Sequence, residues 1–90
     1  MWQPYIKGFH SYLLLERSMS GNTIDAYLRD IGKLAQYFDI HQIAISPLSV
    51  TLDQLQDAIK WLNELGLDVR SQARIISGIK AFYKYLLLED

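Results

Sequence analysis

Apolar residues recur every three to four positions along most of the chain, which is the spacing of one face of an α-helix. The second such stretch shows the pattern most clearly, with Ile24, Tyr27, Leu28, Ile31, Leu34, Ala35 and Phe38. Polar or irregular segments separate the stretches from one another. The pattern therefore predicts four helices, over residues 4–17, 21–38, 52–65 and 69–88.

The predicted boundaries contain residues that cap helices. Ser20, Thr51 and Asp68 precede the second, third and fourth helices, and each side chain can accept a hydrogen bond from a free backbone N–H. Gln54 follows Thr51 at the spacing of a capping box. Gly66 suits the left-handed position that ends a helix, so it is expected to close the third one.

The fold class follows from these elements. No segment alternates with period two over a useful length, so the sequence predicts an all-α fold, with two helical hairpins around one core. Residues 39–50 include Ser46-Pro47, which disfavours helix, and this segment is long enough to cross between the hairpins. The positions expected to face inward are Trp2, Tyr5, Ile6, Phe9, Tyr12, Leu13, Leu52, Leu55, Ala58, Ile59, Trp61, Leu62, Ile75, Ile76, Ile79, Phe82, Tyr83, Leu86 and Leu87.

Three glycines, Gly8, Gly32 and Gly78, fall inside predicted helices, where each costs about 1 kcal/mol relative to alanine. Close packing of one helix against another is the simpler explanation for all of them. For Gly78 a second explanation stays open, the close approach of a ligand to the helix.

Composition fits one small domain. The chain has 90 residues, half of them hydrophobic, and no cysteine, so neither a disulfide nor a thiolate metal site is possible. Its start lacks the features of a signal peptide, and its apolar runs are far shorter than the ~20 residues of a membrane span. A cytoplasmic setting without membrane contact is expected.

Catalytic groups are not apparent in the sequence. His10 and His41 lack further ligands at metal spacing, no phosphate-binding glycine loop occurs, and no serine has the setting of a nucleophile. We therefore expect no enzymatic activity from this chain, no cofactor, no metal and no small-molecule ligand. The surface is the remaining candidate for function.

Charge is distributed unevenly along the chain. The net charge is −1, yet residues 69–88 contain four basic residues and no acidic one. Two predicted helix starts are polar, one with Ser20, Asn22 and Thr23, the other with Arg70, Ser71 and Arg74. Helix starts offer free N–H groups to phosphate, and arginine can bind phosphate or guanine. Ordinary caps and a solvated outer face are the alternative interpretation, and removal of Arg74 is expected to leave the fold intact.

The stretch YLLLERSMSGNTIDAYLRDIGKLAQYF resembles the start of the tyrosine recombinase (phage integrase) family, in particular the Xer recombinases. Its matching residues are Glu16-Arg17, Met19-Ser20, Asn22-Thr23, Ala26-Tyr27, Asp30-Ile31 and Phe38. The stretch LGLDVRSQARIISGIKAFYKYLLLED is similar to a second family pattern. There the matches are Gly66-Leu67, Arg70-Ser71, Arg74, Ser77, Lys80, Phe82-Tyr83 and Leu86.

The resemblance implies that residues 1–90 are an N-terminal core-binding domain, a SAM-like orthogonal bundle of four helices that clamps double-stranded DNA. The implied DNA contacts are Ser20, Asn22, Thr23, Arg70, Ser71, Arg74 and Ser77, with Lys80 and Lys84 as weaker phosphate contacts. Strand cleavage would belong to a C-terminal catalytic domain absent from this chain, acting with other recombinase protomers in DNA integration or chromosome dimer resolution. A helical protein–protein interaction module is the alternative.

Overall fold

The computed structural model describes residues 2–89, which form four α-helices and one short 3₁₀ turn. The helices are α1 (Gln3–Leu15), α2 (Gly21–Ile40), α3 (Leu52–Glu64) and α4 (Val69–Glu89), and the 3₁₀ turn spans Pro47–Ser49. No strand occurs in this described range. The all-α prediction and the four predicted helices are confirmed, with boundaries shifted by no more than two residues.

Side chains close the helix starts as the sequence predicts. Ser20 accepts a hydrogen bond from the Thr23 backbone N–H at 3.4 Å, and the Asp68 carboxylate accepts one from the Ser71 N–H at 2.7 Å. Thr51 and Gln54 form the reciprocal bonds of a capping box. Beyond α3 the chain turns through Gly66, whose φ of +97° lies in the left-handed region that glycine adopts without strain.

Aromatic rings fill the centre of the bundle. The Trp2 ring stacks on Phe38, with ring centroids 5.5 Å apart, and on Phe82 at 6.1 Å. Phe9 meets Phe82 edge to face at 5.2 Å. The Trp2 indole N–H also donates to the Ile45 carbonyl oxygen at 3.0 Å, so the same residue holds the connection between α2 and α3 against the core.

Three residues predicted to face inward are instead exposed: Leu52 (69%), Ile76 (39%) and Leu87 (80%). Leu52 is the first residue of α3. Ile76 and Leu87 point about 90° and 110° away from the centre of the buried face of α4 that Ile75, Ile79, Phe82 and Leu86 form. The prediction for these residues is wrong.

A close contact explains one of the three helical glycines. A Cβ on Gly8 would collide with the Tyr85 hydroxyl, so the Tyr85 side chain can lie against α1 only because Gly8 has no side chain. Gly78 of α4 packs against Tyr27 and Asp30 of α2, but a Cβ there would make only ordinary van der Waals contacts, so the packing does not require glycine. Gly32 has nothing near its missing Cβ, so the packing explanation is wrong for that position.

Helix α2 contacts each of the other three helices and forms the middle of the bundle. Within the part of the chain that the structure describes, no helix has the length and apolar character to cross a bilayer.

Candidate nucleic-acid interface

Helices α2 and α4 meet at Gly78. A Cβ built there would lie 3.5 Å from Cδ1 of Tyr27 and 3.9 Å from Cβ of Asp30. Four residues earlier on α4, Arg74 contacts the same Asp30. We call the place where Tyr27 and Asp30 of α2 lie against Arg74 and Gly78 of α4 the α2–α4 crossing.

An ion pair joins the two helices at this crossing. Arg74 donates from Nε to Oδ2 of Asp30 at 2.8 Å and from Nη2 to Oδ1 at 3.0 Å. The Asp30 side chain is completely buried, whereas 37% of the Arg74 side chain is exposed. Hydrogen bonds from Arg74 to the carboxylate raise the pKa of the guanidinium above its usual value, and so does the charge of Asp30. The pair is bidentate, the arrangement in which arginine and carboxylate interact most strongly.

The polar start of α2 lies on the same face of that helix as the crossing. Thr23, Tyr27 and Asp30 follow one another at intervals of four and three residues, which keeps them within about 60° around the helix axis. Thr23 is half-buried, and its hydroxyl is 2.9 Å from that of Ser20. Asn22 beside them is exposed. Three polar side chains thus surround the free N–H groups at this helix start.

Along α4 the basic residues form one surface, which we call the basic stripe. Arg70, Ser77 and Lys84 lie within about 40° around the helix axis, and Arg74 and Lys80 flank them, so the set covers about 120°. Arg70, Ser77, Lys80 and Lys84 are exposed. The buried residues Ile75, Ile79, Phe82 and Leu86 lie on the opposite side of the helix. The stripe therefore faces solvent.

Ser71 lies outside the basic stripe, toward the core side of the first turn of α4, and is half-buried. Hydrogen bonding from Ser71 lowers the pKa of Asp68, the residue that caps this helix. An anionic cap thus lies beside the cationic surface, and its charge also contributes to the raised pKa of Arg74.

The two polar helix starts are near enough to reach one duplex. Each helix reaches the crossing about seven residues after it begins, or roughly 11 Å along its axis. With an axis separation of about 9 Å, the two starts lie within roughly 23 Å of each other at any crossing angle. One turn of B-DNA is longer, at about 34 Å.

Comparison with known proteins identifies the family. Residues 6–90 match the family model described as "Phage integrase, N-terminal SAM-like domain". The chain belongs to this family. The SAM-like domain is 38% identical over 88 residues to tyrosine recombinase XerD of Chlorobaculum tepidum, and 36% identical over 86 residues to that of Rickettsia conorii. The resemblance to tyrosine recombinases is confirmed.

Both alignments cover nearly all of the SAM-like domain, 98% and 96% of its chain, but only 28% of each relative. Tyrosine recombinase XerD of Pseudomonas aeruginosa is 32% identical over 84 residues, again with 28% of its length covered. The chain therefore spans little more than a quarter of the relatives that it matches. No solved structure matches it.

The structure of the SAM-like domain corrects one prediction from the sequence. Arg74 does not lie free on an outer face, as the pattern predicts, because its guanidinium is bonded to a fully buried carboxylate. Its removal is therefore no longer expected to leave the fold intact.

Sequence reasoning also missed Asp30 as the buried partner of Arg74. A signal for it was available: Asp30 lies three residues after Tyr27 and four before Leu34, within the apolar stripe of α2. A charge on such a stripe calls for a buried partner, because a buried charge is costly unless it is paired. Among residues 2–89 no group of three or more histidine, aspartate or glutamate side chains could hold a metal ion.

Proposed function

We propose that this chain is the duplex-DNA-binding domain of a site-specific tyrosine recombinase. The observation that carries the proposal is the proximity of the polar α2 start to the basic stripe of α4, in a chain whose family is that of the phage integrases. Relatives of this chain are named tyrosine recombinases. Residues 1–90 would form one core-binding unit, acting in the cytoplasm with other protomers on a recombination site.

Each part of the surface has a chemical role in this proposal. Arg70, Arg74, Lys80 and Lys84 would neutralise phosphates, and the helix starts would add backbone N–H donors. Hydroxyl and amide groups of Ser20, Asn22, Thr23, Ser71 and Ser77 would add neutral hydrogen bonds to phosphates or base edges. The strand-cleaving chemistry would come from a catalytic domain outside these residues.

The small number of cations sets the expected affinity. Four phosphate contacts correspond to a slope of about −3.6 for the logarithm of the binding constant against the logarithm of the salt concentration. The net charge of −1 provides no further attraction. We therefore expect weak binding that moderate salt abolishes.

Fluorescence anisotropy with a labelled duplex at low and moderate salt tests the proposal. Lys80 and Lys84 are each replaced by glutamine in one variant, and Lys7 and Lys60 in a matched control that removes equal charge from α1 and α3. The stripe variant should lose affinity and about 1.8 of the salt slope, whereas the control should lose little. Equal losses would contradict a defined surface, and no binding at any salt would favour a protein–protein interaction module.

A further inference from the structure

We infer that Asp30 is a positioning residue for DNA binding, which holds the Arg74 guanidinium so that its outer edge is presented to a phosphate. This inference rests on the proposed function and names a role for a residue that cannot touch DNA itself. The Asp30 side chain has no exposed surface, so it cannot contact the duplex, and both of its carboxylate oxygens are bonded to Arg74.

The geometry of the pair leaves one edge of the guanidinium available. Nε and Nη2 of Arg74 are bonded to the two carboxylate oxygens. Nη1 makes no hydrogen bond to any residue in the range 2–89. Of the two side chains, only that of Arg74 has surface exposed to solvent. Since a guanidinium is planar and rigid, fixing one edge fixes the direction of the other. Its free N–H groups can donate to phosphate without first being ordered.

Helix α4 packs against Asp30 at Gly78. A Cβ built on Gly78 would make an ordinary van der Waals contact with the Cβ of Asp30, at 3.9 Å. Arg74, one turn earlier, then reaches the buried carboxylate with both nitrogens. A gain in fold stability does not by itself explain why a buried ion pair is found here, because well-packed apolar residues of similar volume often stabilise a fold as well or better.

A purely electrostatic view makes the opposite prediction for Asp30. In that view its negative charge weakens the attraction of the basic stripe for phosphate, so removing the charge should strengthen DNA binding. Positioning predicts weaker binding instead. The two views differ in sign, and one substitution separates them.

The decisive variant is Asp30→Asn, with Asp25→Asn as its matched control. Both remove one negative charge from α2, but Asp25 is exposed and forms no ion pair with a residue of the described range. Asparagine keeps the shape of Asp30 yet cannot accept both N–H groups of Arg74. We expect D30N to weaken duplex binding about tenfold and to lower the salt slope by about 0.9, the loss of one phosphate contact. D25N should bind as tightly as the wild type or more tightly, with the same slope.

The salt slope separates positioning from a loss of folded protein. Partial unfolding scales the binding constant equally at every salt concentration and leaves the slope unchanged, whereas a lost phosphate contact lowers it. Arg74→Lys provides a second test that keeps the charge. Lysine lacks the fork that engages a carboxylate and a phosphate together, so R74K should remain about tenfold weaker than the wild type.

Three outcomes decide the matter. Weaker binding by D30N and R74K with a reduced slope for D30N supports the inference. If D30N binds DNA as tightly as the wild type or more tightly, as D25N should, the inference about Asp30 is overturned while the proposed function stands. Full affinity of R74K overturns the inference in the same way. Failure of the wild type to bind any duplex at low salt overturns the proposed function, and the inference with it.

Discussion

Replacement of Arg74 by alanine should destabilise the domain far more than the loss of a surface arginine. The substitution removes both hydrogen bonds to Asp30 and leaves a carboxylate with no exposed surface at the crossing of two helices. Breaking a fully buried ion pair costs about 3–5 kcal/mol, because the remaining charge is uncompensated.

The partial exposure of Arg74 lowers the expected loss of stability. Because 37% of the Arg74 side chain is exposed, water can enter the space that the guanidinium leaves and solvate Asp30 in part. We therefore expect a loss of about 2–4 kcal/mol in the free energy of unfolding. A domain of 90 residues is expected to have about 5–13 kcal/mol in total. With each kcal/mol shifting the melting temperature of a domain of this size by about 4–8 °C, R74A should melt roughly 8–32 °C below the wild type.

Thermal and urea unfolding followed by circular dichroism measure this change, with Arg70→Ala as the control. Arg70 is exposed, so its loss should alter stability by no more than about 0.5 kcal/mol. Adding D30N to R74A should recover part of the loss, because the stranded carboxylate becomes a neutral amide. If R74A melted within about 2 °C of R70A, the ion pair would not hold α2 to α4, and the reasoning would be refuted.

Other predictions concern the core and its tyrosines. Phe82→Ala should lower the free energy of unfolding by about 3–5 kcal/mol, and a wild-type melting curve would contradict its place in the core. Gly8→Ala should cost up to about 2 kcal/mol, because its methyl group meets the Tyr85 hydroxyl at a cost of about 1–3 kcal/mol while alanine returns about 1 kcal/mol of helix propensity. Tyr85→Phe in the same chain should recover much of this loss in urea unfolding. Burial raises the pKa of Tyr83 to about 12, so a contribution to stability that is fully present below pH 10 should disappear as the pH rises toward 12. Burial also raises the pKa of Tyr85. Absorbance at alkaline pH should therefore show late-ionising tyrosine, part of which Tyr83→Phe removes; no change in the titration would contradict this.

Local patterns were sufficient to predict the helices. Ser20, Thr51 and Asp68 each cap a helix through hydrogen bonds to residues three positions away, so the information is contained in a short stretch of sequence. Periodicity also gave the core face of α4 correctly at Ile75 and Phe82.

Periodicity failed at the edges of the predicted apolar faces. Leu87 points about 110° away from the centre of the buried face of α4, and Leu52 points about 100° away from the buried pair Ala58 and Leu62 on α3, so both are exposed. A helical pattern defines which face is apolar and leaves open how far around the helix that face is covered.

The sequence predicted which residues form the candidate site, but it did not predict the hydrogen bonds between them. The basic stripe could be read from residues 69–88, since its members lie close together in sequence. Asp30 and Arg74 are 44 positions apart, and only the crossing of α2 and α4 brings them together. A pairing of this kind depends on helix topology, which single-sequence patterns do not specify.

The stacking of Trp2 between Phe38 and Phe82 has a consequence for biosynthesis. Synthesis at about 5–20 residues per second would take roughly 4–16 s to pass from the first of these rings to the last. During that interval the indole lacks the contact with Phe82 that completes its aromatic packing. The bundle can therefore complete its centre only after the segment around Phe82 has emerged from the ribosome.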